Sequence, residues 1–182
     1  MGNRDKAWNL LCKYTESESL RKHALAVEAA MRYFAEKLGE DVNYWGAVGL
    51  LHDFDYEKYP DEHPLSGVVI LNENGYDQSF INSVLSHVDT TGIPRDTKLE
   101  KTLFAVDELC GFVTAVALVR PSKKVADVKV KSVKKKMKDK AFARQVSRDD
   151  IRGGAEGLGM PLEEVIENVI EAMKKSASDL GL

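Results

Sequence analysis

Residues 49–56 read GLLHDFDY and place a histidine and an aspartate side by side after an apolar segment. Residues 44–51 are apolar almost all round, which predicts a helix in the interior of the fold. Adjacent residues do not normally share a helix face, but at a helix end both side chains can turn toward one point. The pair His52-Asp53 is therefore a candidate for a shared buried site.

Further histidines and one more aspartate surround this pair in an ordered series. The series is His23, His52, Asp53, His63, His87 and Asp107, and it uses all four histidines of the chain. Imidazole and carboxylate groups together bind one or two divalent metals and hold a water as hydroxide near neutral pH. Each residue alone has an ordinary structural explanation, but the six together predict a metal site.

The hydrophobic pattern is helical nearly throughout, and no segment alternates like a strand, so we predict an all-α fold. One helix is predicted to run to about Leu38 and to end at Gly39, with His23 on its buried face. A long helix is predicted over 98–119, with Asp107 on the face of Leu103 and Cys110. A carboxylate buried there without a partner would cost several kcal/mol, and a metal is one of the few partners that removes this cost.

Length and composition indicate an ordinary soluble protein. A chain of 182 residues is expected to form one domain, and a formal net charge of −3 gives no general reason to bind nucleic acid or a membrane. No apolar run reaches the roughly 18 residues that would span a bilayer. We interpret Cys12 and Cys110 as free, buried thiols, although a disulfide between them stays open, and we expect a cytoplasmic location.

The order of these residues resembles the HD-domain metal-dependent phosphohydrolase superfamily over about residues 20–120. The resemblance is carried by LRKHALAV at 20–27, GLLHDFDY at 49–56 and AVDEL at 105–109. It implies an HD-domain-like helical bundle in 1–120, followed by a small accessory helical region in 121–182 that packs on the core. The chain reads His-Asp-Phe-Asp and lacks a Gly-Tyr-Pro signature, which argues against a cyclic dinucleotide substrate.

The resemblance also implies a set of ligands. His23, His52, Asp53 and Asp107 match the core metal site, and His63 and His87 match the two extra histidines of the binuclear members. One or two divalent ions are expected, with Mn, Fe, Zn, Co, Ni and Mg all open. The oligomeric state is not predicted.

The expected reaction is hydrolysis of a phosphate ester, such as a small phosphomonoester or a nucleotide, by a metal-activated water. Asp53 would bridge the two metals. Asp55 would orient the water or protonate the leaving oxygen, with a turn-capping carboxylate as the equal alternative. Lys58 and Arg120 would bind phosphate, although surface charge explains each of them too.

Two other functions stay open. A di-iron oxygenase of the same fold would use the same six ligands, because iron accepts this set of nitrogen and oxygen donors as readily as manganese or zinc. A non-catalytic metal-binding domain is the other alternative, and the complete ligand set argues against it.

Positive charge is concentrated in residues 120–140, which carry about +8 from nine lysines and one arginine against two aspartates. A solvated helix face and a funnel for a phosphorylated substrate are both open interpretations. Nucleic acid is disfavoured because aromatic residues do not alternate with the lysines.

Overall fold

The computed structural model describes residues 4–182, and within that range every regular element is helical. The α-helices are α1 (Arg4–Tyr14), α2 (Glu18–Leu38), α3 (Val42–Leu51), α4 (Leu65–Glu73), α5 (Gln78–Leu85), α6 (Lys98–Leu118), α7 (Val130–Met137), α8 (Arg148–Leu158), α9 (Leu162–Lys175) and α10 (Ala177–Leu180). Short 3₁₀ helices occupy Asp89–Thr91 and Val125–Asp127. The predicted all-α fold is confirmed.

The ends of α2 and α3 follow from local sequence. The side chain of Ser17 accepts a hydrogen bond from the backbone N–H of Leu20 at the start of α2, and Gly39 ends that helix with a φ of +72°, as predicted. At the start of α3, Asp41 accepts from the backbone N–H groups of Asn43 and Tyr44. These caps fix the two helices that carry the first half of the site.

Close packing of α2 against α3 depends on a glycine. A β-carbon on Gly49 would lie 2.8 Å from Cγ of Met31 and 3.0 Å from the carbonyl oxygen of Val27. Because any side chain would force the helices apart, Gly49 sets the separation between His23 on α2 and His52 at the end of α3.

Helix α6 is the central element of the core. Its N-terminus has a capping box, in which the side chains of Thr97 and Glu100 each accept from the other's backbone N–H. Buried residues occur all along it, including Leu103, Val106 and Leu109. It packs against α2, α8 and α9, so Asp107 in its middle is held from several sides.

The helices after α6 contribute to the same apolar core. Helix α9 packs on α2 and α6 through its buried residues, and α8 packs on α6. Ser176 separates α9 from the short helix α10. The boundary at residue 120 between core and accessory region stays a prediction.

Helix α7 carries part of the lysine-rich stretch. Val133 and Met137 are buried, and the lysines lie on the other faces. Lys134 pairs with Glu163, and Lys136 lies 4.5 Å from the ring centre of Phe142. The structure thus shows an amphipathic helix, and the role of its charge stays open.

Cys12 and Cys110 are both free thiols, Cys110 buried and Cys12 half-buried. Among the helices of residues 4–182, none combines the length and apolar character needed to cross a membrane.

A pair of glycines in α8 tests the packing against α6. A β-carbon on Gly154 would lie 2.4 Å from the α-carbon of Ala105, whereas one on the exposed Gly157 has no atom within 4 Å. We expect Gly154→Ala to lower the free energy of unfolding by about 1–3 kcal/mol through overpacking. Gly157→Ala should raise it by about 0.5–1 kcal/mol through helix propensity. Urea denaturation measures both, and equal effects would contradict a tight α6–α8 contact.

Candidate metal centre

The six residues of the sequence series come from five parts of the fold. His23 lies in α2, His52 and Asp53 directly follow α3, His63 precedes α4, His87 follows α5, and Asp107 lies in α6. Their side chains converge in two groups of three, each able to hold a metal ion, with ligand atoms within 4.8 Å of one another.

The first group consists of His23, His52 and Asp107. Oδ1 of Asp107 lies 3.0 Å from Nε2 of His23 and 3.3 Å from Nε2 of His52. The two Nε2 atoms are themselves 3.3 Å apart. Three potential ligand atoms from three helical segments therefore surround one point.

The second group consists of Asp53, His63 and His87. Oδ1 of Asp53 lies 3.2 Å from Nε2 of His63 and 3.1 Å from Nε2 of His87. The two Nε2 atoms are 3.2 Å apart. The other oxygen of Asp53, Oδ2, lies 3.4 Å from Nε2 of His52, so this carboxylate faces both groups.

Three of the histidines are oriented through their second ring nitrogen. Nδ1 of His52 donates to the carbonyl oxygen of Gly49 at 2.7 Å, and Nδ1 of His87 donates to the carbonyl oxygen of Val84, also at 2.7 Å. In His63, Nδ1 donates to Oδ1 of Asp55 at 2.8 Å. A neutral imidazole that donates from Nδ1 keeps a lone pair on Nε2, and each of these Nε2 atoms points into its group.

A model of the HD domain family matches residues 20–111, about half of the chain. This chain belongs to the HD-domain superfamily of metal-dependent phosphohydrolases. Comparison with curated proteins and with solved structures gives no significant match. HD-domain proteins bind divalent metals, and the two groups are the candidate sites for such metals in this chain.

The donor set of this HD domain fits divalent ions. Lone pairs on imidazole nitrogens and carboxylate oxygens repel each other at 3.0–3.4 Å unless a cation or a proton lies between them. Nitrogen and oxygen donors of this kind suit zinc, manganese and iron. The side chains of His52 and His87 are essentially inaccessible, whereas those of His23 and Asp53 are 23% and 29% exposed. The two groups are therefore accessible to solvent from the side of Asp53 and His23.

The carboxylates of the two groups raise the pKa of two of the histidines, His52 and His63. Burial opposes the charge of His52, but the carboxylates of Asp53 and Asp107 outweigh it and keep the pKa of His52 well above its usual value. Burial likewise opposes the charges of Asp53 and Asp107, yet His52 holds the pKa of both below the usual range. Although burial disfavours its charge, hydrogen bonds to Asp53 and Asp55 raise the pKa of His63 to about 9.

Asp55 lies behind the second group. It is only 1% exposed, and while Oδ1 accepts from His63, Oδ2 accepts from the backbone N–H of Gly67 at 2.8 Å. Because both oxygens are engaged inside the protein, this placement favours orienting His63 over the acid–base role expected from the sequence.

The two residues expected to bind phosphate make contacts outside the two groups, and their role stays a prediction. Lys58 lies over the ring of Tyr14, with Nζ 5.0 Å from the ring centre. Arg120 donates to the hydroxyl of Ser132 beyond the end of α6. That end lies about 16 Å from Asp107 along the helix axis, at ~1.5 Å per residue.

Glu108 is a titratable residue beside the site that the sequence analysis did not include among the candidates. Its carboxylate accepts from the backbone N–H of Ser147 at 3.2 Å and lines a cavity with His87, Asp107 and Asp150. Burial, aided by the charge of Asp107, raises its pKa. Only its position next to Asp107 could have indicated this from the sequence.

Replacement of Asp55 by asparagine should weaken one metal site selectively. An amide has a single acceptor oxygen and would turn its NH₂ group toward either His63 or Gly67, both of which are donors. Loss of such an orienting partner typically costs 10–100-fold in metal affinity. We expect a loss of about this size for one of two bound ions in Asp55→Asn, measured by calorimetric titration of chelated protein. The exposed Asp149→Asn is the control, and unchanged affinity in both variants would contradict the orienting role.

The stability of the metal-free protein should be greatest between about pH 4 and pH 6.5. The pKa values of Asp53 and Asp107 are lowered on folding, so their contribution is present above the usual value of 3.8 and is lost as the pH falls. The pKa of His63 is raised, so its contribution is complete below 6.5 and is lost as the pH rises through about 9.

Urea denaturation in chelator at several pH values measures this effect. The loss attributable to His63 should be on the order of 2 kcal/mol, and it should be absent in His63→Gln. An equally steep alkaline loss in that variant would show that other groups cause it.

Proposed function

We propose that this protein is a metal-dependent phosphohydrolase that cleaves a small phosphate ester. One observation carries the proposal: the carboxylate of Asp53 faces two three-residue groups at once, with Oδ1 toward His63 and His87 and Oδ2 toward His52. Membership in the HD-domain superfamily supports it.

The ligands divide between two ions. His23, His52 and Asp107, together with Oδ2 of Asp53, would hold one, and Oδ1 of Asp53 with His63 and His87 would hold the other. When bound, such ions supply Lewis acidity toward phosphoryl oxygens and make water nucleophilic near neutral pH.

The protein's own residues prepare this site in three ways. The buried imidazoles of His52 and His87 close its inner side to bulk water. The backbone acceptors at Gly49 and Val84, and the carboxylate of Asp55, hold three Nε2 lone pairs in position before any ion arrives. The partial exposure of Asp53 leaves room for a phosphate on the outer side.

The charge balance favours a phosphate ester. Only two carboxylates, Asp53 and Asp107, belong to the two groups, and neutral imidazoles add no charge. Two divalent ions therefore leave a net positive charge at the open side of the site, which attracts a phosphate dianion.

The region 121–182 is proposed to be accessory. Its helices complete the core around α2 and α6, and none of the six candidate ligands comes from it.

Asp53 is the residue whose loss should abolish activity most completely, because it serves both groups. We expect the wild-type protein to hydrolyse members of a phosphomonoester panel after reconstitution with at least one divalent metal. The metals to be compared are manganese, zinc, cobalt, nickel, iron and magnesium. Asp53→Asn should lower kcat/KM at least about 100-fold, on the scale of catalytic groups. Asp149→Asn should behave as the wild type, and circular dichroism checks that the fold survives.

Retained turnover in Asp53→Asn would overturn the assignment of this site. Elemental analysis of protein purified without chelator accompanies the assay. About two irons per chain, with oxygen consumption and no ester hydrolysis, would replace the hydrolase by an oxygenase.

A further inference from the structure

A cavity of about 330 Å³ lies in the seam between α2 and α6, and His23 forms part of its wall. It is lined by Ser19, Lys22 and His23 of α2, by Gly111, Thr114 and Leu118 of α6, and by residues 180–182. Its volume is at the lower end of the range for small-molecule sites. The lining is mainly apolar, with the Lys22 ammonium at its edge.

The cavity continues directly from the candidate metal centre. On α6, Gly111, Thr114 and Leu118 follow Asp107 at four, seven and eleven residues, which places them on one helix face. On α2, Ser19 precedes His23 by four residues and shares its face in the same way. The wall of the cavity is therefore adjacent to the ligands of the first group, and His23 belongs to both.

The absence of a side chain at Gly111 leaves open space beside His23, and the backbone conformation of the helix does not require a glycine there. A glycine inside a helix is less favourable than alanine, and a β-carbon here would meet only Nδ1 of His23, at 4.0 Å. Gly154 differs, since a β-carbon there would collide with α6. Packing explains Gly154, whereas the missing side chain at Gly111 leaves the cavity open beside His23.

His23 differs from the other histidines in the hydrogen bonding of its second ring nitrogen, Nδ1. Nδ1 of His52, His63 and His87 each donates to a protein oxygen, but within residues 4–182 no hydrogen bond is made by Nδ1 of His23. An imidazole that binds a metal through Nε2 carries its proton on Nδ1. This donor lies on the side of Gly111, so a ligand in the cavity can accept from it.

We propose that this cavity holds the organic group of the substrate, and that the substrate is a phosphomonoester with a ring-sized, mainly apolar alcohol bearing a hydrogen-bond acceptor. The proposal rests on the proposed function, because the phosphate must lie at the metals for its organic group to reach past His23. Gly111 and Thr114 would then determine specificity, and the size of the cavity would exclude larger esters.

Filling the cavity with a single methyl group tests the proposal. Gly111→Ala is compared with Gly157→Ala, the same substitution in an exposed helix with nothing within 4 Å. Both should raise the melting temperature by roughly 2–4 °C. With 1-naphthyl phosphate as the apolar probe, Gly111→Ala should lower kcat/KM about tenfold, and Thr114→Leu should do the same. With glycerol phosphate the change should be less than about threefold.

A second measurement does not depend on metal or turnover. Binding of 1-naphthol to chelated protein is followed by its fluorescence, and it should weaken about tenfold in Gly111→Ala and remain unchanged in Gly157→Ala. Equal losses on both esters would overturn the inference, because the methyl would then disturb the metal centre itself. No loss on either ester, or no naphthol binding to the wild type, would also overturn it.

The two proposals fail in distinguishable ways. If the wild type hydrolyses neither ester with any metal, yet binds naphthol in a manner that Gly111→Ala weakens, the proposed function fails and the cavity stands as a ligand site. If both esters are hydrolysed and no variant discriminates between them, the proposed function stands and the cavity does not.

Discussion

The carboxylate of Asp53 stands between two groups of histidines, and the arrangement around it is stable only if positive charge lies among them. Nitrogen lone pairs and carboxylate oxygens approach to 3.0–3.4 Å at several places, a separation at which they repel without an intervening cation or proton. The neighbouring carboxylates raise the pKa of His52 and His63, so protons on these two imidazoles meet part of the requirement when no metal is bound. The surrounding helices hold these groups together against that repulsion.

The fold uses one local device twice to meet this requirement. His52 and His87 each lie just beyond the C-terminus of a helix, and each donates from Nδ1 to a carbonyl oxygen three residues earlier, in Gly49 and Val84. Carbonyls in the last turn of a helix have accepting capacity left over, so the hydrogen bond from Nδ1 uses that capacity and also turns the Nε2 lone pair toward the site. The negative end of the helix dipole favours a cation at the same place. The ends of α3 and α5 therefore prepare the site for metal.

Much of this arrangement could be predicted from the sequence, because helix faces and chain order determine it. Periodicity placed His23 and Asp107 on inward faces, and α2 ends at Gly39 as expected. The position of Asp55 could not be predicted, since its partner is a backbone N–H of Gly67 across a turn. The placement of Arg120 could not be predicted either: its charge suggested phosphate binding, whereas in the structure its guanidinium donates to the hydroxyl of Ser132 beyond the end of α6. Residue type indicates chemistry, whereas distance is set by the tertiary fold.

Glycine shows most clearly what sequence alone leaves open. Gly111 and Gly154 both lie inside helices, where alanine has the higher helix propensity, and the sequence alone does not distinguish them. In the structure, Gly154 lies against the backbone of Ala105 and permits the contact between α8 and α6. Gly111 faces open space beside His23. The open space at Gly111 adjoins His23, so a ligand that filled it would lie beside the candidate metal centre, and one histidine would then contribute both to metal binding and to substrate selection.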